Sequence, residues 1–294
     1  MKTVTLHDYQ ERIVRSLLYI QDHLDDELEL EKLACAAAFS RFHFHRIFRG
    51  LVGESVKEYV RRLRLERAAR DLKRSGDAIT EIAFKAGFDA HESFTRAFGE
   101  MFGVSPTAYR AAHQRTPESR SGAHFEDLSG YHFPHYSDPL PVEVKALAPM
   151  HVVFVRHVGP YREVGPSWGK LMSWAGRRGL LGPGMKLIGV VHDDPDVTAE
   201  DKLRYDAAVI VKQPVQPEGE FGVTELAGGS YAVATHRGPY ERSGATYERM
   251  FGGWLPTSGY ELRDVPSFEQ YLNAPQNTRT EDLLTAIHIP VEKA

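Results

Sequence analysis

Cysteine is nearly absent from the sequence: Cys35 stands alone among 294 residues. One thiol closes no disulfide within the chain, and such a composition suits a reducing compartment. Cys35 itself reads as a small buried residue. Long apolar runs are missing too, and none approaches the roughly 18 residues of a membrane-spanning helix. The N-terminal MKTVTLHDYQERIVRSLLYI meets acidic and polar residues before any hydrophobic stretch, which argues against a secretory signal. These absences place the chain in the cytoplasm. There is no Gly-rich phosphate loop, serine elbow or reactive-cysteine context, so no cofactor or catalytic nucleophile is expected. Metal is not expected either. His43 and His45 sit two apart on a helix and point apart, and His132-x-x-His135 has no third ligand beside it.

What is present is ordinary in proportion: 42% hydrophobic and 26% charged residues, with 25 Gly and 17 Pro, which excludes a disordered or collagen-like chain. At roughly 150 residues per domain the length suggests two domains. The net charge of -4 conceals an uneven distribution. Residues 41–116 carry a net +6, between flanks of net -4 (1–40) and -6 (117–294). A basic stretch inside an acidic protein suggests a local polyanion-binding surface, although a solvated helix face carries the same charge.

That basic stretch repeats itself. FHRIFRGLVGESVKEY (44–59) aligns with FTRAFGEMFGVSPTAY (94–109) at an offset of 50, matching Phe44 to Phe94, Arg46 to Arg96, Phe48 to Phe98 and Tyr59 to Tyr109. A short helical pattern precedes each copy, LELEKLACAA (28–37) and AITEIAFKAG (78–87). Gly87 suits a left-handed turn after the second, and Ala38-Phe39 stands there in the first. Short helix, tight turn and longer helix make a helix-turn-helix unit, present twice, at 28–52 and 78–102.

Helical spacing turns Phe44, Ile47, Phe48 and Leu51 inward, and Phe94, Ala97, Phe98 and Met101 likewise. Arg41, Phe42, His45 and Arg46 then lie on the other side of one long helix, and His91, Glu92, Ser93, Thr95 and Arg96 on the other side of its counterpart. Arginine can take a guanine edge bidentately, and small polar residues reach bases or phosphates. One such face alone is most simply solvated; two matched copies favour a DNA-reading pair. Between them VKEYVRRLRLERAARDLKR (56–74) predicts a helical rod of roughly 28 Å, close to the roughly 34 Å between successive major-groove faces. Arg61, Arg62 and Arg64 on that rod touch phosphates or are solvated, with neither reading favoured.

Residues 8–112 resemble the DNA-binding domain of AraC/XylS transcription regulators, above all through IAFKAGFDAHESFTRAFGEMFGVSPTAYR (82–110). The resemblance implies double-stranded DNA and RNA polymerase as partners and association with the nucleoid when bound to DNA; an activator role fits it, and a repressor role stays open beside it. It assigns reading positions to Phe42, His45 and Arg46 in the first helix and to His91, Glu92, Ser93 and Arg96 in the second. Relatives often carry Trp and Gln where Phe42 and His45 stand, so target sequence does not carry over.

The second half is also duplicated. HVVFVRHVGPYREV (151–164) aligns with SYAVATHRGPYERS (230–243) at an offset of 79, around two His-x-Gly-Pro-Tyr turns; GVVHDDPDVT (189–198) aligns with EQYLNAPQNT (269–278) at 80. Each copy reads strand, turn, helix, strand, loop, strand. Two copies predict a pseudo-twofold α+β domain with a cleft between them. His157 and His236 read as braces of their turns. The fold expected for the chain is thus an all-α double helix-turn-helix domain (1–112), a linker (113–142) and a duplicated α+β domain (143–294).

Residues 143–292 resemble the GyrI-like small-molecule-binding domain. The resemblance implies a cleft that takes lipophilic, often cationic and multidrug-like effectors through aromatic walls and a buried glutamate. It places that glutamate at Glu269, whose repeat counterpart is Gly189. Tyr161, Trp168, Tyr240, Trp254 and Tyr271 are the candidate walls. A desolvated carboxylate needs a cation, a donor or a proton, and ring faces attract a cation by roughly 0.5–2 kcal/mol each. The same aromatics at these spacings could be plain core. Some members of this family are hydrolases, so the alternative is an enzyme in which Glu269 with Tyr161 or Tyr240 activates water.

Overall fold

The computed structural model describes residues 6–26, 28–113, 136, 139–182, 184–193, 195, 198–212, 215–216 and 219–294. The expected linker, with His132 and His135, lies largely outside these residues. Contacts group the chain into two compact units: residues 11–41 with 54–133, and residues 1–10 and 42–53 with 134–294.

The helical unit holds most of α1 (Leu6–Asp22), then α2 (Leu30–Ala36), α4 (Val56–Arg74), α5 (Ile79–Lys85), α6 (His91–Phe102) and α7 (Pro106–His113); α3 (Arg41–Val52) falls almost entirely in the other unit. The helix expected at 56–74 is α4, residue for residue, because a capping box starts it: Ser55 Oγ accepts from Glu58 N at 3.2 Å and Glu58 accepts from Ser55 N at 2.8 Å. Leu65, Ala69 and Leu72 of α4 pack with Ile82 of α5 and Phe94, Ala97 and Phe98 of α6 in one core. Met101 departs from the expected inward face and is 36% exposed, since it lies in the last turn of α6 beyond that core. Cys35 is likewise exposed rather than buried, on the outer face of α2, whose inward residues are Leu33 and Ala34.

The turn after α2 and the turn after α5 have the same hydrogen bonds. Ala38 N donates to Cys35 O and Phe39 N to Ala34 O; Gly87 N donates to Phe84 O and Phe88 N to Ala83 O. Gly87 has φ 77° and Ala38 has φ 52°, so an alanine adopts the left-handed conformation that glycine takes freely. Arg12 braces the first turn by donating to Ala37 O at 3.0 Å and to Ala38 O.

The second unit is a nine-stranded antiparallel sheet. Its strands are β1 (Glu143–Leu147), β2 (Met150–Val158), β3 (Leu187–Val191), β4 (Arg204–Ile210), β5 (Phe221–Leu226), β6 (Gly229–Arg237), β7 (Tyr260–Leu262), β8 (Phe268–Tyr271) and β9 (Leu284–Lys293). They run in the order β1-β6-β9-β8-β3-β4-β2-β5, with β7 off this path against β9. Exchanging the two repeats turns this order into its own reverse, which is the signature of a pseudo-twofold between β8 and β3. Helices α8 (Gly165–Arg177) and α9 (Ser243–Glu248) follow the Gly-Pro-Tyr turns, and a π-helical turn, Arg249–Trp254, extends α9. Alternation on β4 sends Tyr205, Ala207 and Val209 under α8, beside Leu171 and Trp174. Ala208 joins Val152, Val190, Tyr231 and Phe268 in a second core on the opposite face.

Candidate functional site

Glu269 and Tyr271 stand two apart on β8 and so share a face of the sheet. Glu269 is 8% exposed, and its hydrogen bonds come from tyrosines: Tyr247 Oη donates to Oε1 at 3.2 Å and Tyr271 Oη to Oε2 at 3.1 Å. Tyr205, from β4, places its hydroxyl 2.7 Å from that of Tyr271 and donates to it, because the Tyr271 proton is already committed to Glu269. Trp168 meets Tyr271 edge-on at 5.5 Å, Tyr240 meets it at 5.2 Å, and Tyr161 lies 6.0 Å from Tyr205. The rings of Tyr161, Trp168, Tyr240, Tyr247 and Tyr271 are half-buried, so they form a partly open wall over a buried acid.

Burial pushes the Glu269 carboxyl above its usual range, against the pull of Tyr271, Tyr247 and the charge of Arg46. Burial and the neighbouring carboxylate also drive Tyr247 and Tyr271 far up, which keeps both phenols protonated. A cation entering beside Glu269 would restore the stabilisation that desolvation removes.

Four of the five expected wall residues gather here. Trp254 stands apart, stacked on Tyr260 at 6.0 Å and 23°. Sequence reasoning missed Tyr205 and Tyr247. The signal for Tyr247 was available, because at the repeat offset of 79 it matches Trp168, whereas Trp254 matches Ala175. His157 and His236 brace their turns, donating to Pro160 O at 3.0 Å and Pro239 O at 3.1 Å. Two hollows of about 380 Å³ lie elsewhere, one lined by Lys170, Ser173 and Phe221 and one by Glu143, Lys145 and Val233. Beside Glu269 the hydroxyls of Tyr247 and Tyr271 each hold one carboxylate oxygen.

Of the expected reading residues on α6, His91, Glu92, Ser93 and Arg96 are exposed, and Thr95 is half-buried with its Oγ1 3.4 Å from His91 Nε2. On α3, Phe44, Ile47, Phe48 and Leu51 are buried as expected. The side chains of Arg41 and Phe42 lie outside the described residues. His45 and Arg46 are half-buried, and Arg46 Nη1 donates to Ser267 Oγ at 3.3 Å. On α4, Arg62 is held between Glu54 and Glu66 at 2.6 and 3.0 Å, and Arg64 Nε donates to Leu24 O at 3.0 Å, so both serve the helical unit itself. Among the described residues no helix is long and apolar enough to cross a membrane.

Residues 140–292 match the GyrI-like small molecule binding domain family, and residues 33–112 match a helix-turn-helix domain family. The chain is 30% identical over 213 residues to the uncharacterized HTH-type transcriptional regulator YbfP of Bacillus subtilis, covering 67% of this chain and 72% of that one. It is 36% identical over 110 residues to the right origin-binding protein of Escherichia coli, spanning only 37% of either chain. The solved EcmrR C-terminal domain is similar over 53% of this chain and 99% of that one, at 21% identity and a TM-score of 0.43.

Proposed function

The chain belongs to the AraC-type helix-turn-helix transcription regulators that carry a GyrI-like small molecule binding domain, and we propose that the site around Glu269 is its effector site, taking an aromatic or lipophilic cation. The observation that carries this reading is a carboxylate only 8% exposed whose hydrogen bonds come from two neutral phenols beneath half-exposed rings. A buried acid so placed favours either a proton or an incoming positive charge. Ring faces pack against a cation and a neutral molecule of the same shape alike, and add a charge–quadrupole attraction only for the cation. On this reading His91, Glu92, Ser93, Thr95 and Arg96 of α6, with Arg41, Phe42, His45 and Arg46 of α3, meet DNA. The protein acts in the cytoplasm, bound to the nucleoid, as an activator in contact with RNA polymerase.

The test is titration of the full chain with tetraphenylphosphonium and with neutral triphenylphosphine oxide, read by calorimetry and thermal shift. The cation is expected to stabilise the wild type, and Glu269→Gln to weaken it about tenfold while leaving the neutral compound nearly unchanged. Equal losses for both compounds would refute the charge argument. A hydrolase is the second reading, favoured by a carboxyl whose pKa is raised beside the Tyr271 hydroxyl. Product released from an ester or amide panel, and lost in Glu269→Gln, would establish it.

A further inference from the structure

Helix α3 is part of the same compact unit as the sheet, and one of its faces is attached there by polar contacts spaced along the helix. His43 Nε2 donates to Arg263 O at 3.1 Å. Arg49 Nε donates to Glu248 Oε1 at 2.7 Å. Tyr136 Oη donates to Gly50 O at 2.7 Å. At the end of this face the backbones of Gly50 and Gly252 touch so closely that a Cβ on Gly252 would sit 2.0 Å from Gly50 O.

Arg46 lies in the middle of that face. Its guanidinium carbon is 5.7 Å from the ring centre of Tyr247 and 5.8 Å from that of Phe251, with Ser267 Oγ as acceptor. Tyr247 is one of the two phenols that donate to Glu269, and the Arg46 charge reaches Glu269 favourably. A planar delocalised cation against aromatic rings, near a buried acid and a hydroxyl acceptor, is the chemistry expected of the effector. Here the chain supplies it.

We propose that Tyr247, Phe251 and Ser267 form a guanidinium-receiving extension of the Glu269 site whose built-in occupant is Arg46, so that α3 is docked as an internal ligand and a planar or lipophilic cation displaces it. This rests on the Glu269 site being the effector site. Arg46 cannot reach a base edge while it lies over Tyr247, so docked and DNA-reading α3 are exclusive states. A cation that binds the undocked state shifts the population towards DNA binding, and DNA must then tighten the cation by the same factor. The preferred effectors are those that outdo a guanidinium: flat, charge-delocalised and more apolar than arginine.

The competition is tested on the full chain by titrating tetraphenylphosphonium into the wild type, Arg46→Gln and Glu269→Gln. Removing the internal competitor is expected to tighten the cation about three- to tenfold, whereas Glu269→Gln weakens it. If Arg46→Gln binds the cation equally or more weakly while Glu269→Gln still loses affinity, the effector site stands and the internal ligand falls. Binding to neither wild type nor Arg46→Gln overturns both. A second arm uses variants outside the reading and ligand sets, Glu248→Gln and Gly252→Ala, with DNA recovered by genomic-fragment selection. Both are expected to raise ligand-free DNA affinity several-fold and to blunt the cation's further effect. Unchanged ligand-free affinity in folded Glu248→Gln overturns the docking, whether or not Gly252→Ala folds.

Discussion

Gly189 lies directly across from Glu269 in the β3–β8 ladder, and the two occupy equivalent positions of the repeat. The pairs on either side, Ile188 with Gln270 and Val190 with Phe268, exchange under the repeat, so the pseudo-twofold passes through this one pair. One repeat therefore puts a carboxylate at the axis and the other puts no side chain there. The space is used: a Cβ on Gly189 would lie 2.3 Å from Tyr205 Oη and 2.7 Å from Tyr271 Oη. The absence of a second carboxylate is what lets the chain from Tyr205 through Tyr271 to Glu269 close.

Gly189→Ala tests that dependence. The added methyl must push two well-packed rings aside and break the 2.7 Å contact between their hydroxyls. A loss of about 1–3 kcal/mol in unfolding free energy is expected, with weakened tetraphenylphosphonium binding. Chemical denaturation and calorimetry measure both; wild-type affinity in the variant would show that the tyrosine chain does not shape the site.

His288 sets an acid limit on the sheet unit. It stacks on Phe268 at 4.3 Å, and burial, helped by the charges of Lys145 and Lys186, lowers its pKa from 6.5 to about 4 against the pull of Ala286 O. The unfolded chain then takes up a proton that the folded chain refuses. Stability from this group is complete above about pH 6.5 and declines as pH falls towards 4, by up to about 3 kcal/mol. His43 is shifted to about 4 in the same direction by burial and Arg46, partly offset by Arg263 O and Asp264. Melting temperature against pH should therefore fall less steeply in His288→Gln than in the wild type, without becoming flat. Identical slopes would mean that His288 titrates normally.

Ala38 offers a stabilising change. Left-handed backbone costs an alanine about 1 kcal/mol more than a glycine, and Ala38 is exposed, so its methyl contributes little packing. Ala38→Gly is expected to raise stability by up to that amount. The reverse change in the second repeat, Gly87→Ala, should lower it, because the new Cβ would meet Arg64 Nη1 at 2.6 Å. Denaturant midpoints decide the matter; a destabilised Ala38→Gly would mean that the turn depends on the methyl after all.

Much of this architecture was legible because it is local or repeated. The 56–74 rod followed from an unbroken helical pattern without Gly or Pro, and the paired turns from the internal alignment; the capping box of Ser55 and Glu58 that starts the rod was equally local but was not read. Glu269 was found through family resemblance, and its asymmetry against Gly189 through the repeat. Trp254 was chosen for being aromatic rather than for its repeat position, and Tyr247, which the offset does mark, was passed over. The seating of α3 could not be read at all: Arg49 and Glu248 lie 199 residues apart, and a contact so distant leaves no periodicity at either end.

Arg96 and Arg62 differ in what occupies their guanidinium groups, and mutating each tests the proposed DNA-reading role of α6. Arg96 is exposed on α6 beside His91, Glu92 and Ser93, where a guanidinium can present two donors to a guanine edge. Arg62 spends its donors on Glu54 and Glu66 within the helical unit. Arg96→Ala should weaken binding to selected DNA by about 1–3 kcal/mol and relax preference at one base pair, with stability unchanged. Arg62→Ala should lower stability and leave the sequence preference of the folded fraction intact. Binding measured on the selected site and on single-base variants distinguishes the two. If Arg96→Ala loses the same affinity on every sequence, its contact is with phosphate, and the proposed base reading by Arg96 falls.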